Sequence, residues 1–292
     1  MKPFGREGWE SPARVLVLGG TGKTGRRIVS RLRDLGVPVR VGSRDAMPPF
    51  DWHDATGWEA CLEDVDHAYI AYAPDLAMPG ALDAVGAFVD RAVQRGVRRL
   101  VLLSGRGEPE AEACEQIVRR SGVEWTVVRA SWFSQNFSEG AFTEMVQAGL
   151  LLLPSSDVPE PFVDAEDIAD VAVAALTEPG HAGEVYEVTG PRLLTFREVA
   201  RELAEATGRE IRFVGVPHDA FLEGARKSGV PEETVRLLDY LFATVLDGRN
   251  AHLTDGVQRA LGRAPRDFAT FAREAAATGA WDGVLPAAIP SR

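Results

Sequence analysis

The chain has 292 residues, 45% hydrophobic and 26% charged, with 32 Lys and Arg against 43 Asp and Glu for a formal net charge of −11. That profile describes a globular protein with ample core material, and its negative balance argues against a nucleic-acid partner, which needs a basic face to displace phosphate counterions. Apolar runs such as Leu150–Leu153 fall far short of the ~20 residues of a membrane span, residues 1–13 lack the apolar stretch of a secretory signal, and two cysteines, Cys61 and Cys114, are too few for a disulfide scaffold or a zinc site. A cytoplasmic location is expected.

Residues 1–12 carry Gly, Pro and mixed charge without periodicity and read as a flexible lead. Residues 14–18 (RVLVL) form a buried strand and residues 19–25 (GGTGKTG) a tight turn. Ile28, Val29, Leu32 and Leu35 then mark a helix stopped by Gly36. Residues 37–41 alternate into a second strand and residues 68–71 (AYIA) into a third. A helix lined by Leu82, Val85, Val89, Ala92 and Val93 ends near Gly96. Strand 100–103 (LVLL), helix 110–120 and strand 125–129 (WTVVR) follow. Strands alternating with helices of this length predict a doubly wound α/β fold, a parallel sheet with helices on both faces. Beyond Pro154 the texture changes to a helix over 167–176, a strand at 184–188 returning to the main sheet, and a helix over 195–207 with Thr195 and Glu198 at its start. The remainder is mostly helical. The expected division is a sheet domain at 13–155 and a smaller lobe covering the substrate at 156–292.

Gly19, Gly22 and Gly25 stand where a strand must turn sharply into a helix whose first N–H groups face an anion. Side chains there would block a pyrophosphate, and the position after the first strand is the context a dinucleotide-binding turn requires. The spacing is G-x-x-G-x-x-G, so this is not a Walker A loop. Ser43 and Arg44 close the second strand where a free ribose would favour an acid; a hydroxyl and a guanidinium suit a 2′-phosphate instead. NADPH is the expected cofactor, with Lys23 as a second positive charge. Asp51 and Trp52 are read as a loop after the third strand, near the adenine, and Ser104 as a strand-end residue beside the cofactor. The five histidines lie apart, without HExxH or any i, i+4 pair, so no metal site is expected. No tyrosine has a lysine four residues later: Ala73, Leu76, Gly190 and Thr244 follow Tyr69, Tyr72, Tyr186 and Tyr240. The lowered-pKa tyrosine that a ketone reductase of this architecture uses to protonate an alkoxide is therefore missing from its usual place.

At GGTGKTG, Ser43 and Arg44, residues 102–107 (LLSGRG) and residues 129–137 (RASWFSQNF), the chain resembles the NmrA-like group of atypical short-chain dehydrogenases/reductases. The resemblance runs from about residue 13 to residue 280. Within the group it is most similar to the ergot-alkaloid-type reductases, the agroclavine and festuclavine dehydrogenases and their bacterial relatives, through residues 105–116, 136–140 (NFSEG), 160–170 (EPFVDAEDIAD) and 246–252 (LDGRNAH). The resemblance implies an NADPH-dependent Rossmann domain, a smaller C-terminal lobe over the nicotinamide, and hydride delivery to a carbon–nitrogen double bond of a small organic substrate. Gly19, Thr21, Gly22, Lys23, Thr24 and Gly25 would hold the pyrophosphate and Ser43 and Arg44 the 2′-phosphate. Tyr72, Ala73 and Ser104 would border the ribose and nicotinamide, and Trp132, Phe133, Asn136 and Phe137 would face substrate, the aromatic pair being equally readable as core between the lobes. Catalytic residues stay unassigned. The missing Tyr–Lys pair suits an iminium acceptor, whose nitrogen becomes neutral on reduction without a proton. It also suits quinone or enone reduction and a non-catalytic NADP-binding redox sensor. The protein is expected to act on a small molecule as a monomer or homodimer.

Overall fold

The computed structural model describes residues 13–154 and 157–282, so the lead expected at 1–12 lies outside the described residues. The chain runs β1 (Val15–Leu18), α1 (Lys23–Asp34), β2 (Val39–Gly42), α2 (Trp58–Leu62), β3 (His67–Ile70), α3 (Ala81–Gln94), β4 (Arg99–Gly105), α4 (Pro109–Arg119) and β5 (Glu124–Ala130). It continues through α5 (Thr143–Gln147), β6 (Leu150–Leu153), α6 (Ala165–Thr177), β7 (Glu184–Val188), α7 (Phe196–Thr207) and β8 (Arg212–Gly215). Then come α8 (His218–Lys227), α9 (Glu232–Tyr240), α10 (Gly256–Leu261) and α11 (Phe268–Ala277).

Six strands form one parallel sheet in the order β2-β1-β3-β4-β5-β7. The strand order reverses direction at β1, between β2 and β3, and a doubly wound sheet opens its ligand crevice at such a switch point, beyond the carboxyl ends of the strands. Because side chains alternate along a strand, Val15 and Val17 of β1 pack with α1 and α6 on one face. Leu16 and Leu18 pack with α2, α3 and α4 on the other. The expected strand at 184–188 does return to this sheet, beside β5. The loop carrying Asp51 and Trp52 follows β2, not the third strand as expected; there the chain makes an Asp51–Asp54 bridge and a short 3₁₀ turn.

A second core is built from aromatic rings: Trp132, Phe137, Phe142, Phe162, Phe196, Phe242 and Phe268. Beside it β6 and β8 pair in parallel as a separate two-stranded sheet. Neither strand was legible in the sequence. Leu151 and Leu153 are buried while Leu152 faces outward, so the leucine run hides its alternation. The packing does not follow a cut at residue 155. Phe137, Phe142, Val146, Leu151 and Leu153 lie in the lobe's core, whereas α6, β7 and Val257 of α10 lie in the sheet's core. The chain crosses between the two units more than once, which a division made in sequence order does not capture.

Candidate functional site

Gly19 takes φ +64°, and Gly22 N–H bonds its carbonyl at 2.8 Å. A Cβ on Gly25 would collide with that same Gly19 carbonyl, so the third glycine lets α1 start hard against the turn. Gly22 caps α1 without a side-chain hydrogen bond, which leaves the first N–H groups of the helix open to an anion. Thr24 is buried, its Oγ1 accepting the Tyr69 hydroxyl at 2.9 Å, so only its backbone faces the turn's outer side. Thr21 is exposed on a shallow groove with Arg26, Arg33 and Val41. Ser43 and Arg44 follow β2, and Arg44 is exposed and makes no ion pair among the described residues. The cradle, the uncapped helix and the free guanidinium fit a dinucleotide carrying a 2′-phosphate.

A cavity of about 300 Å³ opens beyond the ends of β3, β4 and β5. It brings together Lys23, Tyr72, Ser104, Trp132, Phe133 and Asn136, six of the residues singled out in the sequence. Lys23 Nζ leaves the glycine turn to donate to Asn136 Oδ1 at 2.9 Å, and burial holds its pKa below the ordinary lysine value. Ala73 is exposed and lies outside the cavity lining. Trp52 donates to the Ala71 carbonyl at 3.2 Å and packs 5.0 Å from the Tyr72 ring, forming a wall behind the cavity. Asp51 is taken up locally: its carboxylate accepts His53 N–H and its carbonyl accepts Trp58 Nε1. Phe137, expected to face substrate, is instead fully buried among Phe142, Phe162 and Phe268, and its carbonyl accepts Trp281 Nε1 at 2.7 Å. The 3₁₀ turn at Ser134–Phe137 rotates Asn136 toward the cavity and Phe137 away from it.

Ser104 lines the cavity, but its hydroxyl donates to Glu115 Oε1 at 2.7 Å, and Glu115 is clamped by Arg129 Nε and Nη2 at 2.8 and 2.6 Å. Next to it Arg106, 3% exposed, donates to Glu187 at 2.7 Å, to Ser131 Oγ at 3.0 Å and to the Asn250 carbonyl at 3.1 Å. Asn250 returns a bond to the Arg106 carbonyl at 3.1 Å. The LLSGRG and LDGRNAH segments are thus two halves of one buried clasp.

Two acids that the sequence reading passed over line the same cavity, Asp75 just beyond β3 and Glu108 just beyond β4. Burial together with the neighbouring Asp75 charge pushes Glu108 up to about 9, and burial raises Asp75 as well. Their position was the available signal: acids three and five residues past adjacent parallel strands stand at the ligand-binding edge.

A family model described as NmrA-like matches residues 112–259, and one described as NAD(P)H-binding matches residues 19–179. The chain belongs to the NmrA-like family. Within the family's reach, it is 31% identical over 288 residues to an NAD(P)H azoreductase of Xenophilus azovorans, covering 91% of this chain and 99% of that one. It is also 31% identical over 280 residues to the agroclavine dehydrogenase of Claviceps fusiformis, covering 88% and 95%. The fold matches an NADPH-dependent quinone oxidoreductase of Escherichia coli with a TM-score of 0.75 at 18% identity, over 89% of this chain and 99% of that one. This NmrA-like chain therefore has an NAD(P)H-binding sheet domain under a lobe with an aromatic core.

Proposed function

We propose that the protein is an NADPH-dependent reductase whose substrate is the carbon–nitrogen double bond of a small organic molecule. The observation that carries this reading is the single cavity reaching from Lys23 of the glycine turn to the aromatic wall of Trp132, Phe133 and Phe142. Gly19, Thr21, Gly22, Lys23, Thr24 and Gly25 hold the pyrophosphate through the turn and the helix N-terminus, and Ser43 and Arg44 hold the 2′-phosphate. Asp51 and Trp52 border the adenine side, and Tyr72, Ala73 and Ser104 the ribose and nicotinamide side. The bound cofactor supplies a hydride. Trp132 and Phe133 orient a flat substrate and, with Leu237, Leu238, Leu241 and Val245, exclude water. An iminium needs no acid at its nitrogen, which fits a site without a Tyr–Lys pair. The relatives named as azoreductase and agroclavine dehydrogenase support a nitrogen-centred acceptor.

A specific observation also favours quinone or enone reduction: Glu108 keeps its proton through neutral pH beside the cavity, and a developing oxyanion needs a proton. The deciding experiment is NADPH consumption against matched cyclic imines, quinones and aldehydes, with product identification. Turnover of the imines alone supports the first reading, and quinone turnover supports the second. Tight NADPH binding with no turnover of any class would make the protein a sensor.

A further inference from the structure

Glu108 is 6% exposed and turns back over the end of β4, where a Cβ on Gly105 would collide with its carboxyl group. Its Oε2 has no hydrogen-bond partner among the described residues, although it lines the cavity. Asp75 reaches the same wall from beyond β3, one carboxyl oxygen accepting the Ala77 N–H at 2.9 Å. Burial and neighbouring like charge raise both carboxyls, so ionising either one in this wall calls for a compensating positive charge.

The cavity's own cations are committed elsewhere. Arg106 is bonded to Glu187 and turned toward the Asn250 loop. Lys23 is bonded to Asn136, and burial lowers its pKa. Among the described residues, the other groups facing the two acids add no positive charge. Tyr72 comes from the β3 end, Cys114 and Glu110 from α4, and Tyr240, hydrogen-bonded to Glu110, from α9. Glu233 of α9 faces Tyr72. A buried charge without a partner is costly, and a cationic ligand relieves that cost.

We propose that the Asp75–Glu108 pair is the recognition site for a positively charged nitrogen, so that the substrate class is a flat, apolar iminium that enters as a cation. The open Glu108 oxygen meets the charge, and Trp132, Phe133 and Phe142 take the apolar body. This rests on the C=N reading, and its test avoids turnover. The probes are N,N-dimethyl-1,2,3,4-tetrahydroisoquinolinium, a permanent cation that cannot be reduced, and 2,2-dimethyltetralin, its neutral isostere. Each is titrated calorimetrically into NADP-saturated protein from roughly pH 6 to pH 10. At neutral pH the cation should bind about tenfold or more tighter than the isostere, the scale of one close, partly desolvated charge pair. Its affinity should rise again as Glu108 loses its proton near about 9, while that of the isostere stays flat. In the doubly neutral variant Asp75→Asn/Glu108→Gln the preference should vanish with isostere binding retained. Equal affinities in the wild type, or a preference that survives in a folded double variant, would overturn the proposal. If that variant does not fold, the wild-type pH profile decides alone, and a flat cation curve overturns it. Imine turnover without cation preference sinks the pair's role and leaves the reductase standing. Cation preference without imine turnover does the reverse.

Discussion

Arg44 is exposed and has no ion partner among the described residues, so nothing in the fold uses its charge. Arg44→Ala should therefore weaken NADPH by about 1.5–3 kcal/mol, the range for a charge-assisted hydrogen bond, and leave NADH binding nearly unchanged. Equal losses for both cofactors on titration would make Arg44 structural. Ser104 is the opposite case, because its proton is committed to Glu115. Ser104→Ala should cost about 1.5–3 kcal/mol of stability in denaturant unfolding and stay within about tenfold in rate, below the ~10²–10⁴ of a general acid. A thousandfold drop without destabilisation would show that this hydroxyl delivers a proton.

The β1–turn–α1 unit and α7 separate two kinds of sequence signal at the scale of elements. Gly25→Ala forces a methyl into the Gly19 carbonyl, so the turn and α1 must part. Overpacking of this kind costs about 1–3 kcal/mol, and NADPH affinity should fall with it in the same protein sample. At α7, Thr195 and Glu198 form a complete capping box: Glu198 N–H donates to Thr195 Oγ1 at 3.2 Å and Thr195 N–H to Glu198 Oε2 at 2.8 Å. Thr195→Ala should cost about 1 kcal/mol with cofactor affinity unchanged. An effect of Thr195→Ala on NADPH titration would mean that α7 couples to the turn, which its packing against β8 and α11 gives no reason to expect. Both motifs were readable because each is satisfied by residues within one or two turns of itself. The β6–β8 pair was not, since each strand's partner lies about sixty residues away and its pattern records only half a sheet.

At the scale of the whole molecule, Glu160 sits fully buried on its isolated bridge to Leu194, and neither carboxyl oxygen has a hydrogen-bond partner among the described residues. Burial is the main cause that pushes it up to about 7, with the Arg106 charge opposing and Asp247 assisting. As pH rises from about 4.5 to about 7, the unfolded chain releases this proton while the folded chain keeps it, so stability falls across that window and levels above it. Comparing unfolding free energies of Glu160→Gln and wild type over the window isolates this one group. Their difference should move in the variant's favour up to about 7 and then stay constant. Parallel curves would show that Glu160 ionises in the fold as freely as in water.

Local chemistry alone determined the parallel sheet, the glycine turn and the residues after β2, because strand alternation, helix spacing and a close backbone approach are written within about ten residues of each other. The NmrA-like kinship follows from the same local segments. Contacts between distant residues decided the rest. Phe137 and Asn136 are neighbours in sequence, yet a single 3₁₀ turn sends one into the lobe's core and the other to Lys23. Asp75 and Glu108 carry no local motif, and it is the adjacent strands β3 and β4 that bring them to one wall. Burial and neighbouring like charge then raise the pKa of both, and neither cause exists until the sheet has formed.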